Sequence, residues 1–141
     1  MNLPLYTAAL GAFIVVLQVV LMLSVGLHRS KGAFIGLVEG DLELERKVRR
    51  HGNLAENSGL FLVVLALLEM LAGQTWYVAA LCGIFAGARI LHAIGFSSLA
   101  GSHGENLTGA RKLFAAARAL GAMGTLITAI GAAAAIVTIL A

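Results

Sequence analysis

Four long stretches of apolar residues, separated by short polar segments, dominate the pattern along the chain. Residues 3–27 carry no charged side chain, and this stretch is longer than the roughly 20 residues that a helix needs to cross a bilayer. The same pattern predicts helices over residues 42–71, from residue 76 to residue 96 or 98, and from residue 110 to the end. We therefore expect an all-α fold, an integral membrane four-helix bundle that forms one domain over residues 1–141.

The composition fits a membrane environment. Hydrophobic residues make up 60% of the chain and charged residues 12%, against about a quarter charged in soluble domains. So few polar residues would not cover the surface of a soluble protein. The net charge of +3 is small, and no basic stripe with interleaved aromatic residues is present, so we expect no binding of nucleic acid.

The distribution of lysine and arginine predicts the orientation of the helices. Loops one and three, with the adjoining helix ends, carry these residues, whereas the turn at 73–75 carries none. By the positive-inside rule, loops one and three should be cytoplasmic and both termini should lie on the opposite side. The N-terminal segment lacks the positive charge of a secretory signal, so we expect it to be retained as the first span.

The first half of helix two carries a polar stripe. Arg46, Arg49, Asn53 and Glu56 follow one another at steps of three, four and three, which places them on one face of a helix. Glu45 can pair with Arg49 at a spacing of four. A solvated helix end would explain the arginines, but Asn53 and Glu56 lie deeper, directly before the apolar half. A carboxylate inside a membrane is costly and marks a functional site by default, so Glu56 should have a partner.

Three side chains on the later helices are candidate partners. Arg89 and His92 share a face of helix three, and Arg118 lies on helix four. One interpretation is a structural network of ion pairs inside the bundle. The other is a polar pocket near the cytoplasmic surface with an excess of cations, which would suit an anionic ligand. In that pocket the carboxylate and the amide of helix two could recognise an ammonium group and amide groups.

The sequence gives little support for metal binding, nucleophilic catalysis or phosphate binding. No metal-binding spacing of Cys and His, no nucleophile motif and no phosphate-binding Gly loop is present. The single cysteine, Cys82, lies in an apolar run and is interpreted as a small buried hydrophobic residue. His51 and His103 are interpreted as solvated side chains near loops, and Glu69 as an interfacial residue near the far end of helix two.

The charged segment of helix two resembles a known family signature. Residues 45–57 read ERKVRRHGNLAEN, which resembles the pattern E-R-x-x-R-x-x-x-N-x-x-E of the MAPEG family, the membrane-associated proteins in eicosanoid and glutathione metabolism. The length, the four spans and their order are also similar to that family. The segments GARILHAIGF and RALGAMGT look most like a bacterial branch of it, which implies location in the bacterial inner membrane.

The resemblance implies a function and a site. It implies a homotrimer with glutathione bound between subunits on the cytoplasmic side, and transferase or peroxidase activity on lipophilic electrophiles that arrive through the bilayer. By position, Arg118 looks like the arginine that stabilises the glutathione thiolate, and Arg111 is its rival. The residues that resemble glutathione-binding positions are Arg29, which the family supplies from the neighbouring subunit, Arg46, Arg49, Asn53, Glu56, Arg89, His92 and Phe96.

Three departures from the family pattern leave alternatives open. Phe96 stands where well-known members have Tyr, and Asn57 and Ala119 stand where some members have Tyr and Ser. The hydroxyl groups that could face a thiol are therefore missing. A second hypothesis is a glutathione-binding or structural membrane protein without catalysis, and a third is a small transporter. The second substrate, and whether glutathione or another small thiol is bound, stay open.

Overall fold

The computed structural model describes residues 2–32 and 40–141, and its elements are helices joined by short connections. In chain order the elements are α1 (Leu5–Arg29), α2 (Leu42–Ala72), α3 (Trp76–Gly95), a short α4 (Leu99–His103), a 3-10 turn (Gly109–Arg111) and α5 (Lys112–Leu140). Four of the helices are long and apolar enough to cross a membrane. The prediction of an all-helical chain with four long apolar helices is confirmed, and the homotrimer stays a prediction.

The polar half of α2 is continuous with its apolar half. Asp41 caps the helix, because its carboxylate accepts a hydrogen bond from the backbone N–H of Leu44 at 2.9 Å. At the other end Gly73 adopts a φ of 77°, which favours glycine, and leads into a short turn before α3. The result is one helix of 31 residues that carries the charged segment and the membrane-spanning segment together.

Small residues allow α3 and α5 to pack closely. A Cβ atom on Gly121 would lie 2.7 Å from the carbonyl oxygen of Ala88 and 2.8 Å from the backbone nitrogen of His92. Only glycine permits this approach, as expected for a helix rich in small residues. Near the arginine-rich end of the pair, a Cβ on Gly95 would lie 2.7 Å from the backbone nitrogen of Arg118. Arg118 is thereby fixed against the end of α3.

The connection between α3 and α5 differs from the sequence prediction. Its Gly, Ser and Asn content indicated a loop, but the structure forms the short helix α4 there. The Ser98 side chain caps α4 by accepting from the N–H of Ala100, and Gly104 ends it with a left-handed φ of 77°. The prediction for loop one falls largely on residues 33–39, which lie outside the described residues.

A buried carboxylate holds the N-terminus of α1. Pro4 precedes this helix and supplies no side-chain cap. Glu69 of α2 replaces the cap: it accepts hydrogen bonds from the N–H groups of Tyr6 at 2.9 Å and Thr7 at 2.8 Å, and from the Thr7 hydroxyl at 2.8 Å. Glu69 is completely buried, so its interpretation as an interfacial residue is wrong. Cys82 is buried nearby, as predicted, with its sulfur 3.9 Å from the Thr7 hydroxyl.

Candidate functional site

Two adjoining cavities open at the arginine-rich end of the bundle, and we call them together the polar cleft. One has a volume of about 370 Å³ and the other about 350 Å³. Glu45, Arg49 and Phe96 line both of them. The first also contacts Asn53 and Glu56, and the second also contacts Arg46, Ser102, His103 and Arg118. The cleft therefore lies between the polar half of α2, the end of α3, α4 and the start of α5.

The polar stripe of α2 forms one wall of this cleft, as its spacing predicted. Arg49 is largely exposed and pairs with Glu45 over 3.4 Å, which confirms the expected pair at a spacing of four. Arg46 is buried and is tied to the protein instead: it donates to the carbonyl oxygen of Phe96 at 2.8 Å and pairs with Glu43. Arg46 thus joins α2 to the end of α3, whereas Arg49 is available to a ligand.

Glu56 lies in the cleft without the partner that the sequence led us to expect. Its side chain is exposed, and none of the ion pairs among the described residues includes it. The predicted partner Arg89 donates to the Asn53 side-chain oxygen at 3.2 Å and to the Thr125 hydroxyl, both neutral groups. The structure of this chain therefore gives no support to a closed network of ion pairs around Glu56.

Arg89 is held in the interior of the bundle. Only 3% of its surface is exposed, and its guanidinium lies 5.3 Å from the centre of the Phe85 ring. Its contacts join α2 to α5 through Asn53 and Thr125. Sequence reasoning missed Thr125, because a lone hydroxyl in an apolar helix gives no signal of what it faces. Arg89 thus positions Asn53 beside the cleft and does not line it.

The side chains of Arg118 and His92 both contact the Phe96 ring. The Arg118 guanidinium lies 5.5 Å from the ring centre, and the His92 ring stacks on Phe96 with 4.9 Å between centres. A cation over an aromatic face is attracted by the ring's quadrupole. Arg118 also donates to the carbonyl oxygens of Gly101 at 2.9 Å and Ser102 at 3.1 Å, which fixes its direction. All three side chains line a further cavity of about 500 Å³ next to the polar cleft.

Two arginines of the predicted site lie elsewhere in this chain. Arg111 lies in the 3-10 turn, is exposed, and lines neither cavity of the polar cleft. Arg29 lines a separate cavity of about 260 Å³ between α1 and α2, next to Val48 and His51. His51 is not simply solvated, since its Nε2 lies 2.7 Å from the side-chain nitrogen of Gln18.

The sequence missed Ser102 and His103 as members of the cleft. The signal was present in part, because Ser98 and Gly104 are residues that start and stop helices. The Gly and Ser content of the whole segment favours a loop, and this outweighed the helix start and stop signals. His103 was interpreted as a solvated side chain, yet its Nε2 lies 3.6 Å from a carboxylate oxygen of Glu45 inside the cleft.

The charges of the cleft indicate the class of ligand. Three guanidinium groups face two carboxylates there. Planar guanidinium groups bind carboxylates well, and an exposed carboxylate beside them can bind an ammonium group. The cleft thus suits a zwitterionic ligand with surplus carboxylates. Among the described residues, no group of three or more His, Cys, Asp or Glu side chains is placed to hold a metal ion.

Comparison with known proteins gave one result. The model of the MAPEG family matches residues 6–138, which is nearly the whole chain. Searches of curated proteins and of solved structures found no significant match.

Proposed function

The chain belongs to the MAPEG family, and from this we propose that it is a membrane-embedded glutathione transferase or peroxidase that acts on lipophilic electrophiles. The family includes glutathione-dependent enzymes of both kinds. The observation that carries the proposal is the exposed carboxylate of Glu56 beside Arg49 in the polar cleft. A buried or paired carboxylate would be part of the scaffold, whereas this one is open to a ligand.

The side chains of the polar cleft suggest a partner for several groups of glutathione. The γ-glutamyl ammonium group would pair with Glu56, and a glutathione carboxylate with the exposed Arg49. The Asn53 amide would hydrogen-bond to the peptide backbone of the ligand, and Arg89 holds that amide in place at 3.2 Å. Hydrogen bonds to charged groups each contribute about 1.5–3 kcal/mol, so a few such contacts give useful affinity.

Arg118 would stabilise the thiolate. A thiol with a pKa of ~8.5 is mostly protonated at neutral pH, and the thiolate is the nucleophile. A guanidinium is permanently charged and lowers the pKa of a nearby thiol by Coulomb attraction. The two carbonyl contacts of Arg118 and the Phe96 ring support this assignment, since they hold its side chain in place where it lines the cleft. The thiolate would then attack an electrophile that arrives from the bilayer.

The test compares Arg118→Ala with Arg111→Ala in detergent-purified protein. We expect Arg118→Ala to lose the ultraviolet absorbance of bound thiolate and to slow conjugation of a chlorinated nitrobenzene by about 10²-fold, as for loss of other charge-stabilising donors. Arg111→Ala is the matched control and should stay within about twofold of the unsubstituted protein. Equal losses in both variants would refute the role of Arg118, and absence of turnover with several electrophiles and hydroperoxides would refute the enzyme.

A second candidate function is glutathione binding without catalysis. Phe96 favours it, because this side chain offers no hydroxyl to a thiol at the centre of the site. This function predicts saturable binding of glutathione with no thiolate absorbance and no conjugation. Calorimetry and the conjugation assay on the same preparation separate the two.

We further propose that the chain assembles as a homotrimer in the bacterial inner membrane, with the polar cleft on the cytoplasmic side. Arg29 supports the assembly, because it lies on the α1 side of α2, outside the polar cleft of its own chain. In a trimer it would reach the site of a neighbour. Native mass spectrometry of the detergent-solubilised protein tests the subunit count.

A further inference from the structure

The short helix α4 brings a serine and a histidine to the polar cleft. Ser102 and His103 lie in its last turn and line the same cavity as Arg118. Their position is fixed from both sides. Arg118 donates to the carbonyl oxygens of Gly101 and Ser102, and the buried Gly101 leaves no room for a side chain between α4 and the end of α3.

The hydrogen-bonding groups around these two residues are compatible with a proton on Nδ1 of the histidine. The Ser102 hydroxyl donates to the carbonyl oxygen of Ser98 at 3.1 Å. With its proton in this bond, the hydroxyl oxygen is free to accept from Nδ1 of His103, which lies 2.8 Å away. In this tautomer Nε2 of the imidazole presents a lone pair. Nε2 lies 3.6 Å from a carboxylate oxygen of Glu45, which lines the same cavity.

From this arrangement we infer that His103 is the base that takes the proton of the bound thiol. The inference rests on the proposed function. The S–H bond of glutathione breaks, its proton forms an N–H bond at Nε2 of His103, and the electron pair stays on sulfur as the thiolate beside Arg118. Ser102 is a positioning residue that fixes the tautomer. Glu45 is a positioning residue that stabilises the imidazolium.

The charges that face His103 favour such an internal transfer. The same cavity is lined by Glu45, Arg46 and Arg49 of α2 and by Arg118 of α5. The thiolate forms next to a guanidinium and the imidazolium forms next to a carboxylate, so each new charge has a partner of opposite sign. The total charge of the cleft does not change during the step. The transfer also supplies the polar group that Phe96 cannot offer.

The test measures conjugation and glutathione binding in His103→Gln, with Glu105→Gln as control. Glu105 is exposed on the same connection and lines neither cavity of the polar cleft. We expect His103→Gln to lower kcat/KM at neutral pH by about 10²-fold, the usual contribution of a general base, with glutathione affinity within about threefold. The deficit should shrink as the pH rises and should be small by ~8.5, the pKa of a free thiol, because Arg118 lowers the pKa of the bound thiol and it then ionises without a base. Glu105→Gln should match the unsubstituted protein.

Chemical rescue separates a base from a structural role. Added imidazole should restore part of the activity of His103→Ala and none of the activity of Arg118→Ala. A His103→Gln enzyme with a normal rate, or a deficit that is the same at every pH and is not rescued, would overturn the inference and leave the glutathione-dependent function standing. Failure of the unsubstituted protein to bind or turn over glutathione would overturn both.

Discussion

Two carboxylates of helix α2, those of Glu56 and Glu69, have opposite surroundings. Glu69 is completely buried and accepts three hydrogen bonds from the first turn of α1. Glu56 is exposed in the polar cleft and belongs to none of the ion pairs among the described residues. The sequence predicts a functional role for Glu56 and an interfacial position for Glu69, but it does not show what either carboxylate contacts.

The difference teaches how to separate a structural carboxylate from a functional one. The donors that bind Glu69 are the N–H groups at a helix N-terminus, which would otherwise lack partners in lipid. They complete the scaffold and leave no capacity for a ligand. Glu56 has its hydrogen-bonding capacity open and lies beside an exposed arginine. The degree to which the protein itself satisfies a membrane carboxylate thus predicts whether substitution affects folding or binding.

The largest effect should come from Glu69→Ala. It leaves the N–H groups of Tyr6 and Thr7 and the Thr7 hydroxyl without their partner in a buried site. Unsatisfied buried polar groups cost about 1–3 kcal/mol each, so we expect a loss of about 3–5 kcal/mol of unfolding free energy. Denaturant titration in mixed micelles, followed by circular dichroism, measures it.

The control for this prediction is Glu56→Ala in the same titration. Its side chain is exposed, so stability should change by no more than about 0.5 kcal/mol. Equal losses in the two variants would remove the distinction between the two carboxylates.

The next effect is on binding, in Glu56→Gln. This variant keeps the shape of the side chain and removes the charge that would pair with the glutathione ammonium group. A charged hydrogen bond contributes about 1.5–3 kcal/mol, so the Kd of glutathione should rise by about 10- to 100-fold. Calorimetry on detergent-solubilised protein measures it, with Glu105→Gln as the control at an exposed position outside the cleft. An unchanged Kd would mean that Glu56 does not contact the ligand.

A smaller effect should follow from Thr7→Val. It removes the hydroxyl that donates to Glu69 at 2.8 Å and keeps the backbone N–H that donates to the same oxygen. The carboxylate loses one of three donors, so we expect about 1 kcal/mol of destabilisation. The unfolding free energy of Thr7→Val should therefore lie between those of the unsubstituted protein and Glu69→Ala. A loss as large as that of Glu69→Ala would show that the hydroxyl, and not the helix N-terminus, is what holds the carboxylate.

The four long helices and the polar stripe could be predicted from the sequence because they depend on local properties. A span needs only length and low charge, and Arg49, Asn53 and Glu56 share a face by spacing alone. The partners of these residues could not be predicted. Glu69 is satisfied by an N–H that is 62 residues away, and Arg89 by a hydroxyl that is 36 residues away, so both contacts depend on how the helices pack.

The short helix α4 could be predicted from the sequence only in part. Ser98 and Gly104 are local signals that the structure uses for capping and for termination. They were outweighed because glycine and serine are also abundant in loops. The consequence concerns the lining of the polar cleft, since the position of His103 beside Glu45 depends on α4. Composition alone is therefore a poor guide to where a residue near a loop lies in the folded protein.

The smallest effect concerns Asp41, a carboxylate that caps a helix outside the spanning segments. The Leu44 N–H and then the His28 side chain, at 2.9 Å each, lower the pKa of Asp41 below its ordinary value of 3.8. A lowered pKa in the folded state means that its contribution is fully present above pH 3.8 and is lost as the pH falls through the folded value. Asp41→Asn keeps a good capping residue and removes the titration. The unfolding midpoint of the unsubstituted protein should therefore fall relative to that of Asp41→Asn only below pH 3.8. Asp41 is partly exposed to water, whereas Glu69 is completely buried. A shift as large as that of Glu69→Ala would therefore contradict the idea that burial, and not capping itself, makes Glu69 critical.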